Sequence, residues 1–185
     1  MARLPYVEPA SAPPEIREAL ENLPPLNIFR TLAHAEAAFR PGLQLGGAIL
    51  GQGELDPRRR ELAILRTAAV TGAEYEWIQH EAIARGVGAT EAQIAAVRQG
   101  DLDAEDFDED DRLVLRCADE LLRDDGIREN TFAAARERLS DREIVELIVT
   151  VGYYRMLAGL MNSVAIDLDE PLGDAVVESA MRRNR

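Results

Sequence analysis

Between Leu55 and Gly86 the chain reads LDPRRRELAILRTAAVTGAEYEWIQHEAIARG, and this run constrains the fold more than any other stretch. Asp56 followed by Pro57 is a helix start: a capping side chain, then proline at the first helical position, where its missing N–H costs nothing. Leu62, Leu65, Ala68 and Ala69 recur at helical spacing and give that helix an apolar face. Thr71-Gly72-Ala73 is a short break, and a second helix follows. It holds Tyr75, Glu76, Trp77 and His80 within six positions, including the only tryptophan and one of the two histidines of the chain. A helical hairpin is therefore expected at the centre of the molecule.

The rest of the chain has to pack on that hairpin. A length of 185 residues suits one domain with an ordinary core. Aromatic residues make up only 5% of the chain, so the core must be built from Leu, Ile, Val and Ala. Prolines 5, 9, 13 and 14 mark an extended N-terminal arm, with a short helix over Glu15–Glu21 that Pro24-Pro25 ends. A longer helix is expected from Asn27 through Phe39, with Pro41-Gly42 as its break or kink and LQLGGAIL as a further turn or two. Thr90-x-x-Gln93 and Ser140-x-x-Glu143 are capping boxes that open two later helices. Amphipathic helices are expected over Arg112–Asp124 and Asn130–Leu139, then a long apolar one over Asp141–Ala165. The stretch AVVESAMRR suggests a last helix. No segment alternates with a strand's period of two, so the fold class is all-α, with seven or eight helices.

Charge and cysteine count exclude several functions. A formal charge of −13 argues against a nucleic-acid partner and against anionic membranes, both of which need basic surface. No run reaches the roughly 20 apolar residues of a membrane span, and MARLPYVEP lacks the apolar segment of a signal peptide, so a cytoplasmic protein is expected. One cysteine, Cys117, allows no internal disulfide and no dithiol centre within one chain. Set among the apolar residues of LVLRCADELL, it reads as a small core residue, with a reactive thiol as the alternative. One Cys and two His are too few for a structural zinc site, so no metal is expected. His34 reads as a packed or surface side chain. Asp101–Asp111, eight of whose eleven residues are acidic, reads as a solvated connector that caps the next helix. It lacks the glycine and terminal glutamate of an EF-hand loop.

The chemistry concentrates on Glu76 and His80. Four positions apart on a helix, they share a face and can touch. A carboxylate beside an imidazole orients its tautomer and suits it to general acid–base work. The alternative is an exposed helical pair worth about 0.3–0.5 kcal/mol. Trp77 and Ala84 are expected to flank the pair as an apolar wall.

The block ELAILRTAAVTGAEYEWIQHEAIARGVG resembles the core of the carboxymuconolactone decarboxylase family, which includes alkylhydroperoxidase-D-like proteins. NIFRTLAHAEAAF upstream and TVGYYRMLAGLMNSVAIDLDE downstream are similar too, so the resemblance spans about Asn27–Asp169. It implies an alkylhydroperoxidase-D-like helical bundle, with the family's helical domain over residues 27–169, an N-terminal arm with a short helix over 1–26 and a C-terminal tail over 170–185. The peroxidase branch uses a glutamate, a C-x-x-C pair and a histidine. Set back from His80, that pattern places the glutamate at Glu61 and the cysteines at Ala73 and Glu76. Both thiols are gone, so disulfide-based peroxide reduction is not expected. The decarboxylase branch works without cofactor or thiol. It implies a lyase or isomerase of small unsaturated lactones or carboxylic acids, of the kind used in aromatic-compound catabolism. His80 is then the acid–base, with Glu61 or Glu76 orienting it. Arg66 is the candidate to hold a substrate carboxylate, and Tyr75, Trp77 and Tyr154 to wall the site. The alternatives are an antioxidant protein that borrows an external thiol, and a non-catalytic ligand-binding member. A homo-oligomer, a trimer or hexamer or else a dimer, is expected from the same resemblance.

Overall fold

The computed structural model describes residues 1–124 and 126–173, and among these every regular element is helical. The described residues form nine α-helices, against the seven or eight expected. A 3-10 turn at Pro9–Ser11 leads into α1 (Pro14–Glu21), α2 (Asn27–Leu32), α3 (Glu36–Gly51) and α4 (Pro57–Thr71). Then come α5 (Glu74–Gly86), α6 (Glu91–Gln99), α7 (Glu109–Arg123), α8 (Glu129–Arg138) and α9 (Asp141–Val164). The AVVESAMRR stretch lies outside the described residues.

Helix α4 is the hub, packed against α5, α6, α7 and α9. Its start matches the sequence reading: the Asp56 side chain accepts from the Arg59 N–H, and Pro57 opens the helix. Gly72 ends it in the left-handed conformation (φ 65°), where a side chain would be strained. The sequence marks one apolar face, yet every residue from Arg60 to Ala68 is buried. Successive positions serve different clusters. Ile64 packs with Leu50, Tyr154 and Leu157; Ala63 with Val114, Cys117 and Val151; Leu62 and Leu65 with Trp77, Val97 and Leu115. A helix surrounded on all sides is buried all round, whatever its amphipathicity. Burial of each such Leu or Ile contributes about 1.5–3 kcal/mol.

Two local expectations are corrected. Pro41 does not break its helix; α3 runs through it. The break falls earlier, at Ala33–Ala35, where Ala35 leaves helical geometry at φ −90°, ψ 65°. His34 there lies 2.7 Å through Nε2 from the Pro5 carbonyl and tacks the N-terminal arm to the bundle. The acidic connector is also less solvated than expected. Asp108 caps α7 as anticipated, but Asp111 is only 1% exposed and accepts from Arg58 (2.6 Å) and Arg59 (3.1 Å), which clamps α7 to α4. The capping boxes at Thr90/Gln93 and Ser140/Glu143 form as read.

Helix α9, at 24 residues, is long and apolar enough to cross a membrane by length and composition alone. Its Leu147, Val151, Tyr154, Ala158 and Met161 are core residues of the bundle. Val145, Ile148, Val149 and Met156 on its other side are exposed.

Candidate functional site

Helix α5 turns Tyr75, Glu76, Gln79, His80 and Ile83 to one side, where they line a cavity of about 110 Å³. Its opposite wall comes from α3 (Gly46, Leu50) and α9 (Tyr153, Tyr154, Leu157), and the α2 segment closes it with Leu26, Ile28 and Phe29. Trp77 and Ala84 point the other way, into the cluster shared with α6 and α7. Trp77 carries the Arg98 guanidinium 4.5 Å from its ring centroid. The wall role read for Trp77 is therefore corrected: at helical pitch its position lies off the Glu76/His80 face.

Glu61, not Glu76, holds His80. Its Oε2 lies 2.7 Å from His80 Nδ1, reaching across from α4. The other carboxylate oxygen accepts from Arg60 Nε at 3.0 Å, and Arg60 is only 5% exposed. Arg60, Glu61 and His80 thus form a buried relay, the cation at its back offsetting the cost of burying the carboxylate. With Nδ1 turned to Glu61, Nε2 is the imidazole atom available to the cavity. The Tyr154 ring packs edge-on to the imidazole, centroids 4.7 Å apart, and locks its orientation. Burial pushes the Tyr154 phenol well up and the Tyr153 phenol to about 12, so both stay neutral O–H groups.

Glu76 is placed differently from the sequence expectation. It is 2% exposed, and neither carboxyl oxygen has a hydrogen-bond partner. Burial, reinforced by the nearby Glu61 charge, raises its pKa well above the ordinary carboxylate range. Burial without a partner therefore favours the protonated form of this carboxyl beside the cavity.

Arg66 does not line the cavity. Its guanidinium pairs with Asp119 of α7 and lies against Gly100, so holding a substrate carboxylate there is ruled out by its direction from α4. Tyr75 lines the cavity and spends its hydroxyl on Asp169 at 2.6 Å. Asp169 also accepts from the Asn27 backbone N–H (2.6 Å) and side-chain amide (2.7 Å), and Gln79 donates to the Asp169 carbonyl at 3.2 Å. This strap holds the start of α2 over the cavity. Arg60, Gln79, Tyr153 and Asp169 are site-shaping residues that sequence reasoning missed. Only Arg60 left a signal there, as the last cation of Arg58-Arg59-Arg60 directly before Glu61.

Cys117 is wholly buried in the α4–α7–α9 cluster, away from the cavity, and burial raises its thiol to about 11. Among the described residues no three His, Cys, Asp or Glu side chains gather as a metal site.

Residues 33–109 match the Carboxymuconolactone decarboxylase family, so the resemblance read from the sequence holds over the hairpin and its neighbours. No curated protein matches the chain. Among solved structures, an uncharacterised peroxidase-related protein from Ralstonia eutropha JMP134, described as an alkylhydroperoxidase AhpD core, is 22% identical with a TM-score of 0.76. The match covers 97% of this chain and 96% of that one. An uncharacterised peroxidase-related protein from Silicibacter sp. TM1040 is 17% identical, TM-score 0.76, over 91% and 92% of the two chains. A protein of unknown function from Agrobacterium tumefaciens is 21% identical, TM-score 0.67, over 74% and 95%. At these identities the likeness is one of fold, and it bears out the expected AhpD-like all-α bundle.

Proposed function

We propose that this chain, whose central segment is that of the carboxymuconolactone decarboxylase family, is a cofactor-free acid–base enzyme of the lyase or isomerase kind. Its substrate on this reading is a small unsaturated lactone or related carbonyl compound. The observation that carries the reading is the pairing of an oriented imidazole with a buried, unpartnered carboxyl group at one apolar cavity.

The chemistry follows from those two groups. His80 Nε2 removes a proton from a carbon next to the substrate carbonyl, and the electron pair moves onto the carbonyl oxygen. The Glu76 O–H hydrogen-bonds that oxygen as its charge grows. The imidazolium is stabilised by Glu61, whose own charge Arg60 balances. His80 then returns its proton to a different carbon, which completes an isomerisation. In a lyase reaction His80 first takes the proton of the substrate's carboxylic acid. The C–C bond then breaks, its electron pair passing into the same enolate as CO2 leaves, and the imidazolium returns that proton to carbon. General acid–base catalysis of this kind contributes typically about 10²–10⁴-fold. The sequence contains no lysine, so imine formation by a side-chain amine is not the route.

A peroxide-reducing reading needs a thiolate, and the buried, high-pKa Cys117 does not supply one. The test is an absorbance and CO2-release screen over unsaturated lactones with and without an acid substituent, with His80→Ala in parallel and a peroxide assay with added dithiol. Turnover that drops at least about 10²-fold in His80→Ala supports the proposal. Peroxide reduction without lactone turnover moves the reading to a borrowed-thiol antioxidant. Ligand binding that survives His80→Ala, with no turnover anywhere, moves it to a binding protein.

A further inference from the structure

The polar inventory of the cavity is unusually small. Among the described side chains that line it, only Glu76 and His80 are titratable besides the tyrosines, and none is an arginine. All basic side chains of the chain are arginines, so no lysine can fill that role. The two arginines nearest in sequence are committed elsewhere, Arg60 to Glu61 and Arg66 to Asp119. Arg60, Glu61, His80 and Glu76 together carry no net charge when His80 and Glu76 are neutral. A carboxylate entering this space loses its water and meets no cation among the described residues in return, with the Glu61 charge close behind the imidazole. An uncompensated buried charge costs several kcal/mol.

The opposite holds for an uncharged acceptor. Both Glu76 oxygens are shielded from solvent and unpartnered, and a buried donor left without an acceptor is a standing penalty that a suitable ligand removes. A ligand carbonyl is such an acceptor. Size points the same way: about 110 Å³ is roughly three-quarters of the engineered apolar cavity of about 150 Å³ that admits benzene. That space suits a single small ring.

We infer that the cavity takes compact uncharged carbonyl compounds and turns carboxylates away, with the Glu76 side chain as the discriminating hydrogen-bond donor. This rests on the cavity being the ligand site of the proposed function, but it concerns binding and specificity rather than turnover. It also sets this chain apart from the carboxylate substrate that the family resemblance implies. Glu76 is faced by Glu61 from α4, by Tyr153 and Tyr154 from α9 and by His80 on its own helix, while α2 and α3 offer it only apolar groups. None of these neighbours is a free cation that could hold the ionised form.

The test uses the full chain and two probes of one skeleton, a butenolide carboxylate and its methyl ester, with affinities read by titration calorimetry. The expected result is that the ester, although larger, binds at least tenfold tighter than the carboxylate at pH 7. Glu76→Gln, whose amide N–H replaces the acid O–H, should keep the ester affinity within about threefold, whereas Glu76→Leu should lose at least tenfold. Wild-type affinity for the ester should fall as pH rises through the Glu76 titration, and Glu76→Gln should remove that dependence. Circular dichroism confirms that both variants are folded. A carboxylate that binds as tightly as the ester, an unchanged ester affinity in Glu76→Leu, or no heat with either probe would each overturn the inference. Selective ester binding without any turnover would sink the proposed enzyme and leave the inference standing. His80-dependent turnover that prefers carboxylates would do the reverse.

Discussion

The substitution Glu76→Gln gives the most direct reading of the buried acid. In the unfolded chain the Glu76 carboxyl titrates near 4.3. In the fold, burial and the Glu61 charge raise its pKa well above the usual range. A group whose pKa is raised on folding binds its proton more tightly in the native state. Its stabilising contribution is complete below the unfolded value and is lost as pH rises toward the folded one. Between those two values the loss runs at about 1.4 kcal/mol per pH unit. The wild type alone mixes this trend with opposite ones. Asp108, Asp119 and Glu146, paired with arginines or backbone N–H groups, have lowered pKa values and contribute stability that acid removes. Comparison with Glu76→Gln cancels those shared groups and isolates the one changed. Urea unfolding of both proteins at half-unit pH steps from pH 5 upward is the assay. The variant should gain on the wild type by about 1.4 kcal/mol per unit until the folded-state titration is passed, and then the difference should level off. A pH-independent difference, or one that grows in the wild type's favour, would refute the argument that Glu76 is buried without a partner.

Glu61→Ala leaves Arg60 buried and unpaired and should cost about 3–5 kcal/mol in urea unfolding, whereas His80→Ala keeps the Arg60–Glu61 pair and should cost clearly less. A Cβ at Gly46 would sit 2.6 Å from the Tyr153 hydroxyl, which is held to the Gly42 carbonyl at 3.0 Å. Gly46→Ala should therefore destabilise by about 1–3 kcal/mol in the same assay and weaken binding of any cavity ligand. Asp169→Ala removes the acceptor shared by Asn27 and Tyr75; limited proteolysis should then cut the 23–29 segment faster, at a stability cost of about 1–3 kcal/mol. Cys117, buried and with its thiol raised to about 11, should react with a thiol reagent only after denaturant is added, and fast reaction of the native chain would contradict its placement.

Wherever a few neighbouring residues decide the outcome, the sequence by itself was sufficient. Asp56-Pro57, Thr90 with Gln93 and Ser140 with Glu143 start helices because each cap is satisfied within one turn. Gly72 splits the hairpin because the left-handed turn it adopts is nearly free only for glycine. The all-α class and the composition of the core follow from the same local rules. Partner choice was not local. Helical spacing put Glu76 within reach of His80, yet the imidazole's partner is Glu61, nineteen residues away, which only the packing of α5 on α4 delivers. The family pattern had named Glu61, but nothing in the spacing could rank it above Glu76 or show Arg60 behind it. Arg66 followed its helix face to Asp119 instead of the cavity. Pro41, a breaker by its own chemistry, was carried within α3, whose Phe39, Ile49 and Leu50 are buried in the bundle. Local sequence decides which turns of helix can form. Which charges are buried together, and which carboxyl is left neutral and unpaired beside a cavity, depends on desolvation and on the approach of distant helices, and only the assembled bundle determines both.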